Sequence, residues 1–198
     1  MKLDLCKTEL KINVSFAAVV TLMLILDESG LCALALLCCI VHEFGHILCL
    51  LIMGEKPKLI EFSFYGIKLE RRQMAHLNTF GEIAVYASGP AANMMFSAAL
   101  FLLSGAVQGM RTAAVISLCV AIFNLLPCRP LDGGNILFCI LTGYTEEKNA
   151  VKICRTVSLF LLIPMGITGI VLIMKSGNFT LLAMTAYLAA VCFWNKHE

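Results

Sequence analysis

The fold is decided by the stretch Ile40-Val-His-Glu-Phe-Gly-His-Ile-Leu48, which places two histidines and a glutamate inside the almost wholly apolar run 31–53. His42 and His46 are four positions apart, so on a helix they lie one turn apart on the same face. Two imidazoles at this spacing can share one zinc ion, and Glu43 can then reach a water molecule at the metal. Ionisable groups at membrane depth are costly, which favours a functional site. The alternative is a pair of helix histidines bonded to neighbouring polar groups.

The composition indicates a polytopic membrane protein. Of the 198 residues, 60% are hydrophobic and 14% are charged, and the mean hydropathy is +0.88. A soluble domain carries about 25% charged residues. The net charge of +2 gives no indication of nucleic-acid binding, so no nucleic acid is expected as a partner. The ten cysteines show neither a disulfide framework nor paired metal spacing, and no cleavable signal peptide is evident.

The apolar runs predict an all-α membrane protein with about six transmembrane helices. A break at Pro127 and Pro130 interrupts the fourth run, and the absence of a linker predicts a single domain over residues 1–198. Residues 58–70 alternate apolar and polar positions around Tyr65-Gly66, which predicts a small β-hairpin at the membrane surface between helices 2 and 3. An irregular basic loop is the alternative there. The six runs are residues 12–26, 31–53, 83–103, 112–126, 157–174 and 179–194.

The positions of lysine and arginine orient these segments. With both termini in the cytoplasm, twelve basic residues lie on the inner side and two, Arg111 and Lys175, on the outer side. This asymmetry predicts a multi-pass integral membrane protein with both termini cytoplasmic. His46 is then about seven residues, or roughly 10 Å, from the inner end of its helix. The expected metal therefore lies in the lipid bilayer, nearer the cytoplasm.

A catalytic zinc site usually has three protein ligands, and Asp132 is the candidate for the third. It lies in Asn124-Leu-Leu-Pro-Cys-Arg-Pro-Leu-Asp-Gly-Gly134, where prolines and glycines break a helix at membrane depth. A carboxylate on such a break can turn towards a metal on a neighbouring helix. Asp132 can equally act as the N-cap of a following helix, Asn135–Leu141. Beside the two histidines, the ligand interpretation is favoured.

These motifs resemble the site-2 proteases, a family of intramembrane zinc metalloproteases. The resemblance covers roughly residues 31–140 and rests on three motifs: His42-Glu-Phe-Gly-His46, Ser88-Gly-Pro-Ala-Ala-Asn93, and Asn124 with Pro130-Leu-Asp-Gly-Gly134. The short architecture is most similar to the stage IV sporulation protein FB type, which processes a membrane-tethered sigma-factor precursor. Unlike many relatives, the chain has Asn135 where arginine is common, and we expect no CBS or PDZ domain.

The resemblance implies one Zn²⁺ held by His42, His46 and Asp132, with Glu43 as the general base. It implies that Asn124 helps to position the substrate or to stabilise the oxyanion. Residues 58–70, with Phe62 and Phe64, resemble strands that pair with an unwound substrate. The motif ending at Asn93 has two interpretations from its residues: small side chains that allow close helix packing, or a direct contact of Asn93 with substrate.

The expected activity is hydrolysis of a membrane-tethered protein in or near the bilayer of a bacterial cell, towards the cytoplasmic side. Regulated proteolysis of a sigma-factor precursor or an anti-sigma factor, with membrane regulatory partners, is the role that the resemblance implies. A membrane zinc-binding protein or transporter without protease activity is the alternative, and a non-catalytic scaffold is a second one. A transporter needs a polar path through the bilayer, whereas the apolar runs are nearly devoid of ionisable groups outside the motifs.

Overall fold

The computed structural model describes residues 2–5, 8–12, 14–55, 59–63, 66–69, 77–105 and 109–194. These residues form seven helices: α1 Val14–Leu26, α2 Leu31–Ile52, α3 Thr79–Leu103, α4 Met110–Asn124, α5 Asp132–Thr142, α6 Glu147–Ser176 and α7 Thr180–Trp194. They also form four strands: β1 Lys2–Leu5, β2 Thr8–Ile12, β3 Leu59–Ser63 and β4 Gly66–Leu69. The chain divides into two compact units, Met1–Ile122 and Phe123–Glu198.

Among the described residues, three helices are long and apolar enough to cross a membrane. These are α2, α3 and α6, with 22, 25 and 30 residues and mean hydropathies of 2.1, 1.2 and 2.5 in their most apolar windows. Large apolar side chains on their surfaces are exposed; Ile52 is 77%, Leu102 87% and Met174 82% exposed. A soluble protein seldom exposes so much apolar surface, whereas lipid solvates it without cost. The chain is a membrane protein.

The predicted fold class, an all-α protein with about six transmembrane helices, is wrong. Three of the six apolar runs form helices of only 13 to 15 residues, α1, α4 and α7, whereas spanning the bilayer takes about 20 residues. Four strands are present among the described residues, two more than the predicted hairpin contains. A seventh helix, α5, follows the proline-containing break, so the fourth run ends at Asn124 and the chain restarts as a separate helix at Asp132.

The β-structure extends beyond the isolated hairpin predicted for residues 58–70. The strands form one four-stranded sheet in the order β1-β2-β3-β4. β3 and β4 pair antiparallel, with Phe62 opposite Ile67, and β2 joins β3 in parallel, with Leu10 opposite Ile60. Strands β1 and β2 pair antiparallel near the N-terminus. They escaped prediction because each has only two apolar residues in alternation, too few for a clear period-two signal.

In the second unit, α6 and α7 pack closely and support the segment before α5. A Cβ atom on Gly169 of α6 would lie 3.0 Å from Cα of Leu182 of α7, so these helix backbones are nearly in contact. A buried apolar cluster joins the two helices to residues 128–131. Asp132 therefore follows an anchored segment. The cluster consists of Cys128, Leu131, Leu162 and Leu188.

Candidate metal centre

The start of α2 is fixed by a turn that precedes it. The Asp27 carboxylate accepts hydrogen bonds from the backbone N–H of Cys32 at 2.7 Å and from the Ser29 hydroxyl at 2.6 Å. Gly30 takes a positive φ of 72° at the N-cap position, which suits a residue without Cβ. The buried face of the helix then carries both histidines, and its members are Cys38, His42, Gly45, His46 and Leu50.

Helices α2 and α3 approach so closely that their backbones touch at glycines. A Cβ atom on Gly45 would lie 2.6 Å from the carbonyl oxygen of Ser88 and 2.7 Å from Cβ of Ala92. A Cβ atom on Gly89 would overlap the ring of His46 and lie 2.9 Å from Cε1 of His42. Small residues permit such contact between membrane helices. The Ser88–Asn93 motif of α3 therefore packs directly against both imidazole rings.

The two histidine rings converge through their Nε2 atoms, which are 3.1 Å apart. The rings are nearly perpendicular, at 84°, with centroids 4.8 Å apart. Nδ1 of His46 is 2.7 Å from the carbonyl oxygen of Val85. Because a carbonyl oxygen only accepts, Nδ1 carries the proton and Nε2 keeps its lone pair. This is the arrangement in which histidine binds a metal, its second nitrogen being oriented by a backbone carbonyl.

Behind His42 lies a small polar network that connects α3 with α4. The terminal amide of Asn93 is 3.4 Å from Nδ1 of His42, measured to Nδ2. The Ser117 hydroxyl is 2.9 Å from the backbone carbonyl oxygen of Asn93 and 3.3 Å from its Oδ1. Asn93 and Ser117 are both fully buried. Sequence patterns did not single out Ser117, because one serine in an apolar helix forms no motif, nor the carbonyl of Val85, because a backbone group has no sequence signature.

In the second unit, the segment from α4 to α5 requires the two glycines after Asp132. A Cβ atom on Gly133 would overlap the carbonyl group of Leu125, and one on Gly134 would overlap that of Cys128. Asp132 is the first residue of α5, and Leu131 occupies the N-cap position without a side-chain capping bond of its own. The alternative in which Asp132 caps a helix starting at Asn135 is therefore not what the structure contains.

The two imidazoles converge on a position that can hold a metal ion. Asp132 belongs to the second unit, and its part as the third ligand stays a prediction. Two Zn–N bonds of about 2.0–2.1 Å meeting near the tetrahedral angle separate their nitrogens by about 3.3 Å, and the observed 3.1 Å is close to this value. Two imidazoles with one carboxylate is an established donor set of catalytic zinc, which keeps a fourth position open. The site therefore fits Zn²⁺.

The structure describes some of the other predicted site residues in full, some only in their backbone, and one not at all. Glu43 directly follows His42 on α2 and is half-buried, and Asn124 is the last residue of α4. Phe62 lies in β3, where the structure describes the backbone but not the side chains, and Phe64 lies outside the described residues. The roles of Glu43 and Asn124 in catalysis, and of Asn93, Phe62 and Phe64 in substrate binding, stay predictions.

Comparison with known proteins identifies relatives of this chain. The model of peptidase family M50 matches residues 104–165. A Synechocystis protein named as a candidate zinc metalloprotease is 31% identical over 155 residues, 71% of this chain and 40% of that protein. A zinc metalloprotease of Methanocaldococcus jannaschii is 27% identical over 136 residues, 63% of this chain and 39% of that protein. The chain thus spans about two fifths of the length of these curated relatives.

A solved structure has a similar fold. The site-2 protease from Methanocaldococcus jannaschii superposes with a TM-score of 0.73 at 20% identity, covering 100% of this chain and 95% of that one. At this identity the likeness shows the fold. The matching family model is that of a peptidase family, and the sequence relatives carry zinc-metalloprotease names. The chain is similar to peptidase family M50 over residues 104–165 and has the fold of a site-2 protease.

Proposed function

We propose that the chain is a zinc metalloendopeptidase that cleaves a membrane-tethered protein in or near the bilayer. The observation that carries the proposal is the pair of imidazoles whose Nε2 atoms are 3.1 Å apart, with a glutamate directly after the first histidine. The apolar surfaces of α2 and α3 support a substrate that is itself in the membrane. The names of the relatives support the chemistry, since one is named a zinc metalloprotease and the other a candidate zinc metalloprotease.

The proposed mechanism assigns one task to each polar side chain. His42, His46 and Asp132 would hold Zn²⁺, which would supply a Lewis acid that lowers the pKa of a water molecule towards neutrality. Glu43 accepts a proton as the water attacks the scissile carbonyl, and passes it to the leaving amine. Asn124 donates a hydrogen bond to the oxyanion, a role implied by the resemblance to the family. The carbonyl of Val85 keeps His46 oriented throughout.

The experiment that tests this proposal compares wild type with Glu43→Gln and with Glu28→Gln. Glu28 lies exposed in the turn before α2, so it is a matched control for loss of one carboxylate. Zinc content and cleavage of a panel of single-span membrane proteins are measured in proteoliposomes. We expect about one zinc per chain in all three proteins, with cleavage lost only in Glu43→Gln. Zinc binding by a wild type that cleaves no substrate would favour the zinc-binding or transport alternative.

The substrate and the side of cleavage are part of the proposal. The excess of basic residues supports cytoplasmic termini, so cleavage would occur towards the cytoplasm. Two cytoplasmic termini require an even number of spans, so at least one shorter apolar helix would cross the bilayer together with α2, α3 and α6. A sigma-factor precursor or an anti-sigma factor is the substrate class implied by the resemblance to the sporulation type. Alkaline phosphatase fused after Glu198 should be inactive, because this point lies inside in the proposed orientation. An active fusion there would contradict the orientation.

The four-stranded sheet offers a way to bind an unwound substrate. A helical substrate must lose backbone hydrogen bonds before its carbonyl is attacked, and an edge strand can replace them. Strand β4 ends the order β1-β2-β3-β4, so one side of its backbone is available to an added strand among the described residues. Removing residues 58–70 should therefore reduce cleavage far more than zinc content. Equal loss of both would contradict this part of the proposal.

A further inference from the structure

The polar network behind His42 has no task in the mechanism above. Asn93 of α3 and Ser117 of α4 are both fully buried in otherwise apolar helices. Burial of an amide and a hydroxyl is costly unless their hydrogen bonds are made. The amide of Asn93 lies 3.4 Å from Nδ1 of His42, which is the nitrogen that faces away from the metal position. The network is thus placed to act on a metal ligand.

Metal binding through Nε2 sets a requirement on the other ring nitrogen. A neutral imidazole carries one N–H, so Nε2 can bind a metal only when the proton is on Nδ1. That Nδ1–H then needs an acceptor. For His46 the acceptor is the carbonyl oxygen of Val85, at 2.7 Å. For His42 the neighbouring group is the amide of Asn93, and an amide can present either an acceptor, Oδ1, or a donor, Nδ2.

Ser117 decides which end of the amide faces His42. Its hydroxyl has one proton, and the closer acceptor is the backbone carbonyl oxygen of Asn93, at 2.9 Å against 3.3 Å for the amide end. With this proton donated to the carbonyl, the serine oxygen can accept a hydrogen bond from Nδ2 of Asn93. A half-turn of the amide about its terminal bond exchanges Oδ1 and Nδ2 almost in place. Oδ1 then faces Nδ1 of His42, and every group in the network has a partner.

We propose that Asn93, oriented by Ser117, is a positioning residue that holds His42 in the tautomer required for metal binding. The amide oxygen of Asn93 accepts the Nδ1–H of His42, and the hydroxyl of Ser117 fixes the amide from behind. The inference rests on the zinc site of the proposed function but not on proteolysis. It gives α4, which contributes no metal ligand, a direct part in shaping the site through Ser117.

The test measures zinc affinity by competition with a chromophoric chelator, without substrate. Asn93→Leu keeps the size of the side chain but removes the acceptor, and we expect about a 10- to 100-fold loss of affinity, the usual effect of removing an outer partner of a ligand. Asn93→Asp keeps an acceptor and should stay within about threefold of wild type, as carboxylate–histidine–zinc triads do. Equal loss in both variants, or none in Asn93→Leu, would overturn the inference.

A second pair of variants separates positioning from packing. Ser97 and Ser117 are both buried, and each donates to a backbone carbonyl between α3 and α4, Ser97 to that of Ala114 at 2.7 Å. Ser117→Ala should weaken zinc binding several-fold, whereas Ser97→Ala should leave it unchanged. If Asn93→Leu does not fold, the two serine variants still show whether the network positions His42. Equal effects of the two changes would mean helix packing alone and would overturn the inference.

The outcomes also distinguish this inference from the proposed function. If the wild-type protein binds no zinc, both the proposed function and the role of Asn93 are refuted. A wild type that binds zinc, with Asn93→Leu equal to it, would remove only the role of Asn93. Histidine ¹⁵N spectra of the zinc-loaded protein add a readout independent of activity: in Asn93→Asp, Nδ1 of His42 should stay protonated with a stronger hydrogen bond, and in Ser117→Ala its proton should exchange faster. Unchanged spectra in both variants would count against the network.

Discussion

Gly89 lies against the imidazole of His46, so closely that a Cβ atom on the glycine would be 2.5 Å from Cε1 of the ring. Gly89→Ala should therefore displace the ring and lower zinc affinity by about tenfold or more, comparable to loss of a partner that orients a ligand. Alanine is a better helix former than glycine by about 1 kcal/mol, so the loss would not come from α3 itself. Chelator competition measures the affinity.

The matched control is Gly105→Ala, in the turn after α3. A Cβ atom there meets nothing within 4 Å, so zinc affinity should equal that of wild type. Tight zinc binding by Gly89→Ala would contradict the contact described between α3 and the histidine.

Gly133→Ala should disturb the site from the side of the carboxylate. The new Cβ atom would overlap the backbone carbonyl of Leu125, which cannot move aside as a flexible side chain can. Because Asp132 directly precedes this glycine, we expect zinc content to fall well below one per chain. Gly166→Ala serves as control, since its Cβ atom would make an ordinary contact, 3.7 Å from Cγ2 of Thr185. Metal analysis of the two purified variants measures the difference; full zinc content in both would refute the expectation.

Zinc should stabilise the folded protein by a free energy that rises with the logarithm of its concentration above Kd. A ligand present at a hundredfold its Kd stabilises the state that binds it by about 2.7 kcal/mol. His42→Ala removes one of the three donors and should abolish the zinc-dependent rise in Tm. Glu43→Gln should keep it, because Glu43 is not a ligand in the proposed site. A zinc-dependent rise of equal size in His42→Ala would mean that the metal binds elsewhere.

Acid should weaken the start of α2. The pKa of Asp27 lies below its ordinary value, mainly because the Ser29 hydroxyl donates to the carboxylate, with a further backbone bond from Cys32. A lowered pKa means that the charged form stabilises the fold; this contribution is present above the ordinary pKa and is lost as the pH falls through the lowered one. Asp27→Asn should therefore differ in Tm from wild type at neutral pH, and the difference should shrink in acid.

The control for this prediction is Glu28→Gln, which removes a neighbouring exposed carboxylate. Its difference in Tm from wild type should be small and should not follow the acid loss expected of Asp27. A constant difference between Asp27→Asn and wild type from neutral pH into acid would contradict the capping role.

Sequence patterns were most informative where the residues concerned lie on a single helix. The second helix begins at Leu31, as predicted, and its four-residue spacing brings the Nε2 atoms of His42 and His46 together. Sequence patterns were less accurate in predicting where helices begin and end. Helix α3 begins at Thr79 rather than Ile83, because the side chain of Asn78 accepts a hydrogen bond from the N–H of Gly81 and caps a polar first turn.

Contacts between distant segments were beyond sequence patterns. Helix α5 includes Gly133 and Gly134, which disfavour helix by intrinsic propensity; tertiary packing against the preceding carbonyls overrides it. Ser117 acts on Asn93, 24 positions away along the chain, and no local pattern joins them. Strand β2 pairs with β3 across α1 and α2, a non-local pairing that two short alternations could not reveal.

During synthesis, α2 emerges from the ribosome well before the carbonyl that orients its second histidine, since Val85 follows His46 by 39 residues. Until α3 has inserted beside it, α2 carries two imidazoles at the right spacing but with only rotamer preference to aim them. Zinc capture at native affinity must then follow the pairing of the two helices. Metal uptake would report the completion of a step in membrane insertion, and a nascent chain stalled before α3 should release zinc readily.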